Sequence, residues 1–444
     1  MPDSRFEEKE AGLKRELSVR LLGMIAIGQS IGTGLFLGSG ISVQMAGPGV
    51  IVSYVIGALI TYVVMLALSE MTAAHPMAGS FGVYAEHYLG PWAGLVTRYT
   101  YSVAQIIAIG GQIVAVAIYC RYWLPGTSSW VWIAGFSIIL LIVNILNVGS
   151  FGESEYWFSL IKVLAICFLL VAGVVLFAGI GTPRRGLEAY TAYGGFFPHG
   201  MAGVWAAVTM AVFSFYGLEA AAVGSGEARN PERTVPRALR RIMVRLALFY
   251  IGSMTLLVGI VPWNQTGISE SPFVLVYRKI GIPGAAGLMN FVVLTAALTS
   301  INANLYTASR MLFSLARSGQ APVALGRLSV RGVPRNAVLI SGLGLGIAAL
   351  TYQLFADTAY VYMLGVSLFG AIFCWSIILI THVRFRKADT PYLSVAGICI
   401  LIAVLITMAF LPGMGVAWLA GIPWLILISA VYYFKSPARK KHER

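Results

Sequence analysis

The sequence predicts an all-α polytopic membrane protein in which two glycine-broken helices each open a set of five spans. Three observations carry that prediction. Of 444 residues, 58% are hydrophobic and 11% charged, with a mean hydropathy of +0.81, whereas soluble domains carry about 25% charged residues. The apolar runs reach the roughly 20 residues that cross a bilayer, and they are continuous rather than alternating, which excludes a β-barrel. Two of them are interrupted, at Gly28-Gln-Ser-Ile-Gly-Thr-Gly-Leu-Phe-Leu-Gly-Ser-Gly40 and at Phe213-Ser-Phe-Tyr-Gly-Leu-Glu-Ala-Ala-Ala-Val-Gly-Ser-Gly226, and both close on Gly-Ser-Gly.

Taken in order, span 1 covers 21–44 and contains the first break; spans 2 to 5 follow at 49–74, 93–119, 129–147 and 155–180. Between spans 2 and 3, His75-Pro76, Gly79-Ser80 and Gly90-Pro91 suit a short re-entrant or surface helix within 75–92. Residues 181–200, rich in Gly, Tyr and Phe, form an outer loop expected to cover an extracellular vestibule. Span 6 at 201–225 contains the second break, and 227–241 forms a basic connection with Asn230-Pro231 as a helix stop. Spans 7 to 10 lie at 242–262, 284–312, 336–355 and 358–381, and spans 11 and 12 at 393–411 and 414–434. Because five is odd, the second set of five crosses in the opposite sense, as in an inverted repeat. The division is an N-terminal arm 1–20, a first repeat with its outer loop 21–200, a second repeat 201–390, helices 11 and 12 over 391–434, and a tail 435–444. Spans 11 and 12 have no repeat partner, so they pack peripherally or support a dimer; monomer and homodimer both remain open.

The net charge of +14 raises a nucleic-acid partner, and its distribution removes the need for one. With both termini cytoplasmic, twenty-six Lys and Arg fall on or near the cytoplasmic side, and Arg121, Arg184, Arg185, Arg278 and Lys279 lie outside. The positive-inside rule accounts for that bias. The first eighteen residues mix Glu, Lys and Arg, unlike a cleavable signal peptide. Cys120, Cys167, Cys374 and Cys399 lack metal-type spacing and read as small apolar fillers. The five histidines do not cluster with carboxylates, and no nucleophile motif stands out, so neither metal, cofactor nor enzyme chemistry is expected.

A helix that unwinds at membrane depth exposes backbone groups, each costing several kcal/mol in lipid unless protein or a water-filled cavity covers it. Transporters place their substrates at such breaks. At the first break, which with Ser30 and Ile31 forms part of the expected substrate site, Gly32, Thr33 and Gly34 start an outer half-helix whose free amides, with the Thr33 hydroxyl, suit a carboxylate. Packing alone, through Gly28-xxx-Gly32 and Gly34-xxx-Gly38, does not call for five glycines in thirteen residues. The second break offers the opposite polarity, with carbonyls of Phe213, Ser214 and Tyr216 suited to an ammonium group. One break for each end fits an α-amino acid. The Phe213, Phe215 and Tyr216 rings either cover the ligand or, for Phe215 above all, face lipid.

Two ionisable residues lie deep in spans, where a charge costs about 2.5–3.5 kcal/mol on insertion scales. Lys162 in span 5 is placed to do the work of a coupling cation, and Glu219 to bind a cationic side chain, relay a proton, or accept hydrogen bonds from unwound backbone. Ser300 is a neighbour of the Lys162 ammonium if spans 5 and 8 meet, and Gln105 in span 3 is a further pocket residue.

Ile31-Gly-Thr-Gly-Leu-Phe-Leu-Gly-Ser-Gly40, Gly79-Ser-Phe81, Glu153-xxx-Trp157-Phe158-xxx-Lys162, Glu219, Glu227-xx-Asn230-Pro231 and Tyr306-xx-Ser309-Arg310-Met311-Leu312 resemble amino acid permeases of the amino acid–polyamine–organocation superfamily over nearly the whole chain. The resemblance implies a LeuT-like fold, alternating access and a place in the bacterial inner membrane. It implies that Thr33 and Gly34 hold the substrate carboxylate and that Phe213, Ser214 and Tyr216 carbonyls hold the amine. It also implies that Lys162 stands where sodium-coupled relatives bind their ion and links transport to protons. Many relatives carry Gly-Thr-Glu after the second break, where this chain has Gly217-Leu218-Glu219. Proton symport of an amino acid is the reading; an amino acid/amine exchanger is the alternative, and an amino acid sensor a more distant one.

Overall fold

The computed structural model describes residues 18–75, 77, 79–146, 151–177, 187–228, 230–281, 283–329, 332–386 and 391–435. Most of the N-terminal arm, the tail from residue 436, Pro76, and Arg184, Arg185, Arg229, Arg331 and Lys387 of the charge distribution lie outside them, as does the Glu153 side chain. Among the described residues the regular elements are helices. They are α1 (Val19–Ser30), α2 (Ser39–Ala46), α3 (Val50–Ala74), α4 (Ser80–Leu89), α5 (Pro91–Cys120), α6 (Ser129–Leu146), α7 (Phe151–Phe177), α8 (Gly200–Phe215), α9 (Ala220–Val223), α10 (Pro231–Ile260), α11 (Pro272–Ile280), α12 (Ala285–Arg317), α13 (Arg335–Ser341), α14 (Leu343–Leu354), α15 (Ala359–Arg386), α16 (Tyr392–Met408) and α17 (Val416–Lys435). Nine stretches among the described residues are long and apolar enough to cross a membrane, the first being the 56-residue Val19–Ala74. Ser129–Asn144 and Tyr392–Met408 are shorter apolar helices.

Both glycine-rich segments interrupt their helices. α1 stops at Ser30, Ile31 leaves helical geometry with ψ 79°, and a π-helical turn over Gly34–Gly38 leads into α2. α8 stops at Phe215, Tyr216 is extended with ψ 136°, and Gly217 takes φ +109° before α9 resumes. A left-handed residue there is open to glycine at little cost.

Two expectations need correction, on Asn230-Pro231 and on Phe215. Asn230-Pro231 starts a helix instead of stopping one: Asn230 is left-handed at φ +47° and Pro231 occupies the first helical position. A proline there forfeits only an amide that has no partner anyway, so the basic connection is the first turns of α10. Of the loop expected over 181–200, residues 181–186 lie outside the described ones, and the part from Leu187 is tied to α10 and the segment after it. Its Tyr190 hydroxyl donates to the Thr255 carbonyl (2.8 Å), and its Tyr193 carbonyl accepts from the Trp263 indole (2.9 Å), which holds it at the C-terminal end of α10. Phe215 is fully buried against Tyr250, with ring centroids 4.8 Å apart, and does not face lipid. The amphipathic α11 has no counterpart in the sequence reading. It packs on the first break, where the Ser271 hydroxyl donates to the Phe36 carbonyl (2.6 Å) and Phe273 meets Phe36 edge-on at 5.0 Å.

Cys120 and Cys374 are buried, Cys167 is half-buried and Cys399 exposed; all four are free thiols.

Candidate functional site

The end of α1 leaves carbonyls outside the regular helical ladder, the Ser30 one accepting from the Gly32 amide in a tight turn. Three consecutive ones are met by side chains from three different helices. Lys162 Nζ on α7 donates to Gly28 O at 2.6 Å, Ser300 Oγ on α12 to Gln29 O at 2.8 Å, and Tyr250 Oη on α10 to Ser30 O at 2.9 Å. Gln112 Nε2 in turn donates to Ser300 Oγ at 3.0 Å. Beyond the break, Tyr360 Oη donates to Thr33 O at 3.0 Å. This is how the helix can unwind away from water: these four carbonyls are satisfied by protein. The Lys162 ammonium also lies at the negative end of the α1 dipole, a favourable place for a cation.

Glu155 completes this corner, and sequence reasoning missed it. It lies two turns before Lys162 on α7 and is 1% exposed. A Cβ on Gly28 would fall 2.0 Å from its Oε1, so glycine at 28 is what lets the carboxylate lie against α1. Ser159 Oγ donates to the Met24 carbonyl at 2.9 Å and lies 3.4 Å from Glu155 Oε1, and Asn302 of α12 faces the same carboxylate. The seven-residue spacing from Lys162, which returns to the same helix face, was the available signal.

The second break is tied down by its own acid. Glu219 Oε2 accepts from the Gly217 amide and Oε1 from the Tyr101 hydroxyl of α5, both at 3.1 Å. Of the roles expected for Glu219, accepting from unwound backbone is the one visible in the geometry. The Ser214 hydroxyl lies 3.0 Å from Tyr54 Oη and donates to the Met210 carbonyl at 3.0 Å. The Phe213 carbonyl already accepts from the Tyr216 amide at 3.1 Å, which leaves one of its two lone pairs.

The two breaks touch. A Cβ on Gly34 would lie 3.0 Å from Phe213 Cδ1 and 3.2 Å from Ser214 Cα, and one on Gly217 would lie 2.7 Å from Gln29 Cγ. Gly34 therefore adjoins Phe213 and Ser214, and Gln29 and Ser30 adjoin Gly217, while Gly32 faces Ser300 and Gln112 instead. Lys162 and Ser300 lie on the α1 side of the same break, on neighbouring carbonyls. One expected donor is already engaged, because the Gly32 amide turns back onto the Ser30 carbonyl at 3.0 Å.

Around the crossing is a set of buried polar atoms with no hydrogen-bond partner among the described residues: both amide atoms of Gln29 and of Gln105, Ser30 Oγ and Tyr216 Oη. Gln29 and Gln105 lie beside the Tyr101 hydroxyl. The Tyr216 ring has Tyr101 at 6.1 Å and Phe213 and Trp375 at 6.4 Å. An unpaired buried polar group costs about 1–3 kcal/mol. These atoms share one aromatic-walled place beside the crossing of the two breaks.

A separate chamber of about 900 Å³ is lined by Arg121, Glu270, Arg278 and Asp357, together with Tyr119, Asn290 and Tyr360, the residue whose hydroxyl holds the Thr33 carbonyl. Burial raises the Glu270 carboxyl above its ordinary value, and the Arg278 guanidinium bonded to it pulls the other way. Toward the N-terminal end of α5, a buried arginine ties three segments together. Arg98, fully buried on α5, donates to Glu86 of α4, to Ser318 Oγ (3.1 Å) and to Gln320 Oε1 (2.8 Å) beyond α12.

The profile of the amino acid permease family matches residues 22–443. The chain is 37% identical to the uncharacterized amino acid permease YtnA of Bacillus subtilis (strain 168) over 452 residues, covering 98% of each chain. It is 37% identical over 442 residues to the aromatic amino acid transport protein AroP of Escherichia coli (strain K12), covering 96% of this chain and 97% of that one. The AroP of Salmonella typhi is 36% identical over 443 residues, with coverage of 96% and 97%.

Proposed function

The chain belongs to the amino acid permease family, a multi-pass membrane transporter family, and we propose that it imports amino acids, aromatic ones foremost, by alternating access driven by proton symport. The observation that carries this reading is the crossing of the two breaks, where unpartnered polar atoms are enclosed by aromatic rings. The amides of Thr33 and Gly34 take the substrate carboxylate there, and the free lone pairs of the Phe213 and Ser214 carbonyls, with the Tyr216 carbonyl, take its ammonium. The side chain then lies among Tyr101, Phe213, Tyr216 and Trp375, with Gln105 at the polar margin. Glu219 already serves Gly217 and Tyr101, which favours a neutral or aromatic substrate over a cationic one. The relatives named for aromatic amino acid transport support the same class.

Twelve crossings in the LeuT-like arrangement account for the helices. The Val19–Ala74 stretch turns at Gly47, whose φ is +58°, and so crosses twice; the two shorter apolar helices complete the count. The end that carries Arg98, with Arg20, Arg241, Arg245, Arg384 and Arg386, is the cytoplasmic one by the positive-inside rule, in the bacterial inner membrane. The open chamber then faces outward. Lys162 supplies the coupling: while protonated it clamps the inner half-helix through Gly28, with Ser300 clamping the neighbouring carbonyl. Proton loss from the Lys162 and Glu155 corner weakens that clamp and lets the inner half-helix move.

The test is uptake of labelled phenylalanine, tyrosine, tryptophan, leucine, lysine, γ-aminobutyrate and putrescine into proteoliposomes, with and without an inward proton gradient. Gradient-dependent accumulation of the aromatic amino acids is the expected result. Uptake that ignores the gradient and requires preloaded internal substrate would make the protein an exchanger and Lys162 a structural charge.

A further inference from the structure

On the arginine-rich side α1, α7 and α10 run parallel: Met24 meets Ser159 and Gly28 meets Lys162, while Gly23 packs on Ile242 and Ser30 meets Tyr250. Between the three helices lies a groove of about 510 Å³. Its lining changes character in the same direction on every wall. α1 presents Arg20 and then Ile27; α10 presents Arg241 and Arg245 and then Phe249; α7 presents Tyr156 and then Val163. The four-residue spacing on α10 keeps its set on one face. The Arg20 guanidinium lies 4.0 Å from the centroid of the Tyr156 ring, which holds it at the mouth with Arg241 and Arg245. Among the described residues no carboxylate pairs with any of the three.

We propose that this groove binds one anionic phospholipid of the surrounding bilayer, with its phosphate among Arg20, Arg241 and Arg245 and an acyl chain along Ile27, Val163 and Phe249. Guanidinium groups match phosphate oxygens through paired N–H donors, and basic pockets between helices at the cytoplasmic face suit acidic head groups. An inorganic anion would leave the apolar depth empty, and a zwitterionic lipid would leave the cationic mouth uncompensated. One wall of the groove is the inner half-helix that ends at the first break, so a bound lipid braces α1 against α7 and α10. That consequence rests on the transport reading; the binding itself does not.

The experiment compares phosphatidylglycerol, phosphatidylcholine and inorganic phosphate added to the purified full-length protein, reading lipid retention by native mass spectrometry and thermal stability. Phosphatidylglycerol is expected to be retained and to stabilise, and the other two are not. Arg245→Gln weakens that binding about fivefold, and the combined Arg20→Gln, Arg241→Gln and Arg245→Gln variant about a hundredfold. The pair Arg233→Gln and Arg237→Gln, exposed on α10 outside the groove, leaves it unchanged. Equal retention of phosphatidylcholine, or equal weakening by the control pair, would overturn the proposal by assigning the effect to bulk surface charge. Stabilisation by phosphate alone would reduce the groove to an anion site. If the triple variant does not fold, Arg245→Gln alone decides. Retention is read without transport, so failure of the transport reading leaves this result standing.

Discussion

Lys162 and Gly28, 134 residues apart in the chain, meet through a 2.6 Å hydrogen bond from the ammonium to the last-turn carbonyl of α1. Glu155 lies against the same glycine, so a buried cation and a buried carboxylate share one corner of the first break.

Removing the lysine alone therefore leaves the Gly28 carbonyl without its donor and takes the neighbouring positive charge from Glu155. Leaving a buried carbonyl unpaired costs about 1–3 kcal/mol. Lys162→Met is expected to lower the melting temperature and to abolish the dependence of uptake on the proton gradient. Adding Glu155→Gln restores much of the stability without restoring coupling. Gradient-driven accumulation that survives Lys162→Met would remove the lysine from the coupling mechanism.

Gly217 joins the two breaks at φ +109°. Alanine there is strained by about 1–3 kcal/mol, and its methyl group would press on Gln29. Gly217→Ala is expected to lose both stability and substrate protection in a thermal-shift assay. If protection by phenylalanine persists at full size, the ligand lies elsewhere.

Thr33 and Gly34 are assigned to the substrate carboxylate, and Tyr216 to the side chain. Gly34→Val should remove protection by every amino acid, because it drives bulk into Phe213 and Ser214. Tyr216→Ala should weaken aromatic substrates about 2- to 12-fold, the worth of one aromatic pair, and spare leucine. Equal losses for phenylalanine and leucine in competition uptake would make Tyr216 a general wall instead of a selector.

At the inner end of α3, burial holds the His75 imidazole below its ordinary value of 6.5, and neighbouring His87 adds to the shift. Its ring lies 2.8 Å from the Tyr88 hydroxyl, and burial raises the pKa of that phenol. The unfolded chain takes up the proton first, so this contribution to stability is complete above 6.5 and declines as pH falls below it. His75→Asn is expected to flatten the fall in melting temperature between about pH 7 and 5. An unaltered acid limb would assign the fall to other groups.

Much of the fold could be read from local features. Both breaks appear where glycine clusters interrupt apolar runs, and α4 appears between the glycines that bound it. Where the reading slipped, a local signal had two meanings. Asn230-Pro231 can end or begin a helix, and only the packing of the basic turns of α10 on the rest of the chain chose the second. The amphipathic α11 was too short and too polar to register as a span.

The site divides in the same way. Apolar length, glycine content and two deep ionisable residues are properties of single segments, and they by themselves determined a membrane transporter with two unwound helices. Which side chain meets which carbonyl was decided only by the tertiary structure. Lys162, Ser300 and Tyr250 reach Gly28, Gln29 and Ser30 across 134, 271 and 220 residues of sequence. Those meetings depend on how each helix is rotated and stacked, and apolar surfaces that face lipid or protein alike carry little information about rotation. The same reason hid Glu155, the Arg98 cluster and the basic groove beside α1: each becomes visible only when separate helices bring their faces together.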